Sequence, residues 1–261
     1  MIKAYKTLGE MAREAYADGR RLVAPLVGFP GVSLTGSTIK MAQQNYGEHF
    51  KAVKRLVEEL HPDLVFPLMD LAVEANALGR YTVFPKFESA TVPKDTFDFG
   101  ELEHLPEINI AFDSRVTCYV ETVKMMNLGL PRSVLRGAYV TGPYSLAGLI
   151  IGSDEAAMAT MLQPEEFERL CEFVTETIQQ YVRLLIAAGA QVICVLEPSA
   201  VMLGPRQFEQ YSARYVAHIV TSCRYSGLNT IYHTCGNTMH VIDQMVGAGV
   251  DGVSLDSADA G

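Results

Sequence analysis

Two hydrophobic patterns alternate along the chain. Short, nearly continuous apolar runs recur: "RLVAPLVGFPG" (Arg21–Gly31), "PDLVFPLMD" (Pro62–Asp70), "SVLRGAYVTGP" (Ser133–Pro143), "QVICVLEPSA" (Gln191–Ala200), "NTIYHTCG" (Asn229–Gly236) and "DGVSLDSAD" (Asp251–Asp259). Between them, apolar residues fall at helical spacing over Glu48–Leu60, Ser114–Leu130, Gln163–Ala190, Gly204–Gly227 and Thr238–Gly249. The longest of these has Pro164 and acids at its start and Gly189 at its end, the usual helix boundary residues. The opening Met1–Arg21 is charged and helical in pattern. Tyr81–Phe99 carries prolines that exclude a long helix and reads as an irregular, β-rich excursion.

The apolar runs predict six strands: Val23–Gly28, Leu64–Asp70, Val134–Thr141, Val192–Glu197, Thr230–Thr234 and Gly252–Asp256. Strands without polar alternation, separated by helices, belong to a parallel sheet covered on both faces. No Gly-rich phosphate loop follows the first strand, which argues against a dinucleotide-binding fold. The expected class is therefore α/β, a (β/α)8 barrel. A closed barrel needs eight strands, so the last two β-α units are expected to lie beyond Gly261. Residues 1–261 are read as a single, incomplete barrel domain.

Composition narrows the partners. The 261 residues are 49% apolar and 20% charged, enough to bury a large core. The net charge of −9 is spread along the chain, without the clustered Lys and Arg that phosphate neutralisation needs, so no nucleic-acid partner is expected. No apolar run reaches the ~18 residues of a membrane span, and no secretory segment opens the chain. The five cysteines have irregular spacing, which fits a reduced, cytoplasmic setting. Cys118, Cys171, Cys194 and Cys223 fall inside helices or a strand and read as core, and His240 reads as structural. The oligomeric state is left open.

Candidate chemistry sits where strands end. Asp70, Thr141, Glu197, His233 with Cys235, and Asp256 all close an apolar run. The carboxyl ends of parallel barrel strands share one mouth, where active sites are built. Singly, Asp70 also fits a helix cap and Glu197 an interior ion-pair partner. His233 and Cys235 differ, because residues two apart on a strand share a face. Imidazole and thiolate are both zinc ligands, and a catalytic zinc takes three protein ligands plus an open position. Asp256, one strand along, is available as a third.

Several stretches resemble the uroporphyrinogen decarboxylase superfamily: "DLVFPLMDLAVEANALG" (Asp63–Gly79), "VTGPYSLAGLIIG" (Val140–Gly152), "EPSA" (Glu197–Ala200) and "YHTCGNT" (Tyr232–Thr238) with "GAGVDGVSLD" (Gly247–Asp256). The H-x-C-G stretch resembles the methylcobamide:coenzyme M methyltransferase branch. The resemblance implies a (β/α)8 barrel and a Zn2+ that activates a small thiol substrate such as coenzyme M. It implies a methylated corrinoid as donor, carried by a partner corrinoid protein. His233 and Cys235 match two zinc ligands of that branch. A further cysteine ligand is expected beyond Gly261, and Asp256 occupies the place of an auxiliary ligand. Glu197 and Asp70 are the expected catalytic residues, with Asp70, Thr141 and Tyr144 expected around the cofactor.

Two rival readings accompany this one. The first is metal-free decarboxylation of a porphyrinogen. Against it, "PLVGFPGVSLTG" (Pro25–Gly36) has no arginine where the family's decarboxylases carry an Arg-rich segment, and Arg136 is the only arginine in an expected strand. A tetrapyrrole's many carboxylates need more cations. The second is an inactive barrel fragment.

Overall fold

A computed structural model of the chain describes residues 6–26, 28–94, 99–103 and 108–256. Five strands form one sheet: β1 (Leu64–Val65), β2 (Leu135–Thr141), β3 (Val192–Leu196), β4 (Asn229–Thr234) and β5 (Gly252–Leu255). Every pairing is parallel and the spatial order follows the sequence. Right-handed crossovers that always step in one direction put their helices on one face of the sheet. That is the winding of a barrel arc, whereas a doubly wound sheet reverses direction part-way.

The helices fill the connections. α1 (Leu8–Ala17), α2 (Phe29–Thr35), α3 (Ile39–Gln44) and α4 (Tyr46–Leu60) precede β1. α5 (Val73–Ala77) and α6 (Ser114–Gly129) lead to β2; α7 (Pro143–Ile151), α8 (Ser153–Leu162) and α9 (Pro164–Ala188) lead to β3. α10 (Pro205–Phe208) and α11 (Arg214–Tyr225) lead to β4, and α12 (Ile242–Gly247) to β5. α1 opens with a capping box, Thr7 accepting from the Glu10 N–H while Glu10 accepts from the Thr7 N–H.

Side chains alternate across the sheet. Leu64, Phe66, Leu135, Tyr139, Val192, Cys194 and Leu196 form a cluster on the inner face, and α1 lays Leu8 and Met11 against it. Ile193, Val195, Ala138, Val140 and Tyr232 face the larger core shared with the helices. Phe66 stacks on Tyr139 at 4.5 Å, over Gly137, where a Cβ would meet the Phe66 ring at 2.2 Å. All five cysteines are free, and among the described residues no helix is long and apolar enough to cross a membrane.

The strand count departs from expectation at the start of the chain. Val23–Gly28 forms no ladder, and Val27 lies outside the described residues. The segment touches β1 through Val23, whose carbonyl accepts from the Asp63 and Leu64 N–H groups. Pro25 has no N–H to extend the pairing. The run from Leu64 to Asp70 also stops being a strand after Val65. Pro67 lacks a donor, and the Leu68 N–H goes to His49 Nε2 at 2.8 Å instead of to a neighbouring strand. Two expected helices change as well. Gly204–Gly227 is interrupted by a π-turn at Glu209–Ala213, and the helix expected over Thr238–Gly249 shrinks to α12. Val83 and Thr91 pair in an isolated antiparallel bridge within the irregular excursion, of which residues 95–98 lie outside the described set. Met1–Tyr5, and residues 257–259 of the last apolar run, also lie outside it.

Candidate metal centre

The parallel register sets the carboxyl ends of β2 to β5 in a row: Thr141 pairs with Leu196, Leu196 with His233, and His233 with Ser254. His233 faces the inner side of the sheet, and Cys235 follows one residue past the strand end. Gly236, at φ +78°, then turns the chain in a conformation that disfavours a side chain. Its N–H donates to Asp256 Oδ2 at 2.6 Å, which draws the carboxylate of the next strand toward the pair. One ligand atom each from His233, Cys235 and Asp256 lies within 4.8 Å of the others. These three are brought together as their strand-end positions suggest.

The imidazole is oriented from behind. His233 Nδ1 lies 3.1 Å from Ser254 Oγ, and Nε2 lies 3.3 Å from Cys235 Sγ. With the proton on Nδ1 donated to Ser254, the Nε2 lone pair faces the thiol, the arrangement by which outer partners fix a metal-binding histidine. Burial lowers the His233 pKa, opposed by the Asp256 charge and by Ser254, so the ring tends to its neutral form. Burial, followed by the Asp256 charge, raises the Cys235 thiol. The donor set of imidazole, sulfur and carboxylate fits zinc. Its protonated thiol becomes a ligand when a cation displaces the proton.

The other expected site residues lie in separate buried networks. Asp70 accepts on Oδ2 from Gln43 Nε2 at 2.8 Å, from the Tyr119 hydroxyl at 2.9 Å and from the Arg115 guanidinium, and on Oδ1 from the Ala72 N–H at 3.0 Å. Arg115 stacks on Phe84 at 4.7 Å. Glu197 is fully buried, and its carboxylate accepts from the N–H groups of Tyr144 (3.0 Å) and Ser145 (2.8 Å) and from the Ser212 hydroxyl (2.8 Å). It thus satisfies the amino end of α7, where Pro143 has no donor to offer. Thr141 is held by Glu74, and the Tyr144 ring is buried edge-on to Phe167 at 5.9 Å. The side chains of Asp70 and Glu197 are therefore enclosed and saturated with donors, not open to the mouth.

Sequence reading missed Ser254, Glu74, Ser212 and Tyr232. Ser254 had a signal, because it sits two residues before Asp256 and so shares its face. Glu74 had one too, an acid within the apolar run that follows Asp70. Ser212 had none, since a π-turn leaves no mark in the spacing of apolar residues.

The family model for uroporphyrinogen decarboxylase (URO-D) matches residues 33–260. The chain belongs to the uroporphyrinogen decarboxylase family. The likeness to the methyltransferase branch, read from the H-x-C-G stretch, is borne out as well. The Methylcobamide:CoM methyltransferase MtbA of Methanosarcina acetivorans is 27% identical over 147 residues, covering 55% of this chain and 43% of that protein. The uroporphyrinogen decarboxylase of Carboxydothermus hydrogenoformans is 23% identical over 206 residues, covering 77% of this chain and 58% of that one. A solved methyltransferase from Methanosarcina mazei superposes with a TM-score of 0.80 at 18% identity, over 95% of this chain and 76% of its own. That likeness confirms the fold, a partial α/β barrel. The chain spans about half the length of the curated relatives it matches.

Proposed function

We propose that this chain is part of an enzyme that moves a methyl group from a methylated corrinoid to a thiol at a zinc centre formed by His233, Cys235 and Asp256. The observation that carries the reading is the convergence of those three ligand atoms within 4.8 Å at the end of two parallel strands. Bound zinc would supply the means of turning a thiol into a thiolate near neutral pH. His233 offers Nε2 because Ser254 occupies Nδ1. Cys235 gives up its proton on binding, and Asp256 remains oriented by the Gly236 N–H. Asp70 and Glu197 hold the walls of the site in place. The relatives named for methylcobamide and CoM support the choice of donor and acceptor, with the corrinoid arriving on a partner protein above the strand ends.

Decarboxylation of a porphyrinogen draws less support. Pyrrole N–H groups need a free carboxylate, and Asp70 already accepts four hydrogen bonds. Arg136, the only arginine in a described strand, alternates with inner-face residues and donates to Gln191 Oε1 at 3.1 Å. Zinc content and X-ray absorption on the purified protein test the proposal. Adding a thiol should introduce a new Zn–S distance of about 2.3 Å. An unchanged sulfur count would sink the thiol-activation step, and methyl transfer by metal-free protein would sink the zinc centre.

A further inference from the structure

The π-turn at Glu209–Ala213 lies in the middle of an otherwise α-helical run, and such turns are rare and concentrate at functional sites. This one aims Ser212 inward, with no exposed surface. Ser212 Oγ donates to Glu197 Oε1 at 2.8 Å. Its single proton is thereby used, so the 2.6 Å contact with Tyr232 has the phenol donating to Ser212 Oγ. The same Glu197 carboxylate takes the Tyr144 and Ser145 N–H groups, and its backbone N–H donates to the His233 carbonyl at 2.8 Å. β4 is thus held at two consecutive residues, by the Tyr232 side chain on the helix face and by the His233 carbonyl in the sheet. Both restraints meet at Glu197. Gly142 makes room for it, because a Cβ there would come within 2.2 Å of Glu197 Cγ.

We infer that Glu197, Ser212 and Tyr232 form a positioning relay that fixes the backbone of β4 so that the His233 imidazole meets Cys235 and Asp256. The inference rests on the proposed metal centre. None of the three reaches the ligand atoms themselves. They act by removing the freedom of β4 to slide or tilt at the residue that carries the imidazole. Buried hydrogen-bond networks with every member satisfied rigidify what they hold. Loss of an outer partner of a metal site typically costs ~10–100-fold in affinity.

The test uses the full chain, with zinc affinity measured by chelator competition and the ligand field read from the absorption spectrum of the Co(II)-loaded protein. Wild type, Ser212→Ala, Tyr232→Phe and Glu197→Gln are compared well below their melting temperatures. Val53→Ala, a cavity in α4, which packs against α2, α3 and α6 and carries no relay residue, reports general destabilisation. Ser212→Ala and Glu197→Gln should each weaken zinc binding by about tenfold or more and shift the cobalt bands, with Tyr232→Phe changing in the same direction. Val53→Ala should lower the melting temperature alone. If Glu197→Gln fails to fold, Ser212→Ala and Tyr232→Phe decide the matter. Wild-type affinity and an unshifted spectrum in both would overturn the relay while leaving the metal centre standing, as would equal losses in Val53→Ala. A wild-type protein that binds neither metal overturns the centre, and the relay with it.

Discussion

The Glu74 carboxyl group grips Thr141 twice: Oε1 accepts from the Thr141 N–H at 2.7 Å, and Oε2 lies 3.0 Å from the Thr141 hydroxyl. The hydroxyl also reaches the Leu71 carbonyl at 3.0 Å. A protonated Glu74 satisfies every group, donating to Thr141 Oγ1 while that hydroxyl donates to Leu71. Burial, assisted by the nearby Asp70 charge and opposed by the Thr141 bonds, pushes the Glu74 carboxyl up to about 7. This grip and the Glu197 carboxylate hold opposite sides of the turn from β2 to α7.

Stability should therefore carry a signature of Glu74. Its folded pKa lies above the unfolded value of about 4.3. The contribution of the neutral form is complete below that value and is lost as pH rises through about 7. Glu74→Gln keeps an acceptor for the Thr141 N–H and a donor for its hydroxyl without a charge. Urea unfolding from about pH 4.5, just above the unfolded value, to about pH 8, past the folded one, should show the variant gaining on wild type as pH rises. A constant difference between the two proteins would mean that Glu74 is ionised throughout.

The Asp70–Arg115 pair predicts a stability effect without a metal effect. Removing one partner of a buried, hydrogen-bonded ion pair leaves an uncompensated charge and costs about 3–5 kcal/mol. Asp70→Ala should cost this much in denaturant unfolding, with zinc stoichiometry unchanged in the folded protein. Loss of zinc from folded Asp70→Ala would place Asp70 at the metal instead.

The β-α alternation was legible because burial on both faces leaves strands continuously apolar, and four of the six expected strands survive with small changes at their ends. Val23–Gly28 and the far half of Leu64–Asp70 did not, because hydropathy reports burial and not pairing. Phe66, Leu68 and Asp70 are buried and Pro25 and Leu26 half-buried, while Val23 is exposed; Pro25 and Pro67 remove donors and His49 captures another. The grouping of His233, Cys235 and Asp256 was legible from periodicity, since His233 and Cys235 lie two apart and Asp256 directly follows the adjacent strand. The directions of Asp70 and Glu197 were not. A carboxylate at a strand end can face the mouth or turn into a neighbouring helix, and the choice depends on donors distant in sequence, Arg115 for one and Ser212 for the other.

Gly142 offers a packing test of the Glu197 carboxylate. Its backbone, at φ −73° and ψ 158°, suits any residue, so an added methyl acts through packing alone. The methyl would lie 2.2 Å from Glu197 Cγ, with no exposed surface into which the carboxylate could withdraw. Gly142→Ala should cost about 1–3 kcal/mol by thermal or denaturant unfolding. The double variant with Glu197→Ala should be less destabilised than the sum of the single changes, because the truncated side chain no longer meets the methyl. Strict additivity would mean that the two positions do not contact each other.

The proposed metal centre predicts a steep dependence on pH. The Cys235 thiol is raised by burial and by the Asp256 charge, so over the neutral range it carries a proton that a metal must displace. Each proton displaced makes apparent affinity fall about tenfold per pH unit as pH drops. His233, lowered by burial, adds a second proton only in more acidic solution, below its folded pKa. Isothermal titration with zinc in buffers of different ionisation enthalpy should count about one proton released at neutral pH, and more on acidification. Cys235→Ala should abolish the neutral release and weaken binding by more than the ~10–100-fold expected for an outer partner. His233→Ala should weaken binding as severely while leaving the neutral release in place. Zinc binding by wild type without proton release would show that Cys235 is not a ligand, and the chemistry assigned to the H-x-C stretch would fall with it.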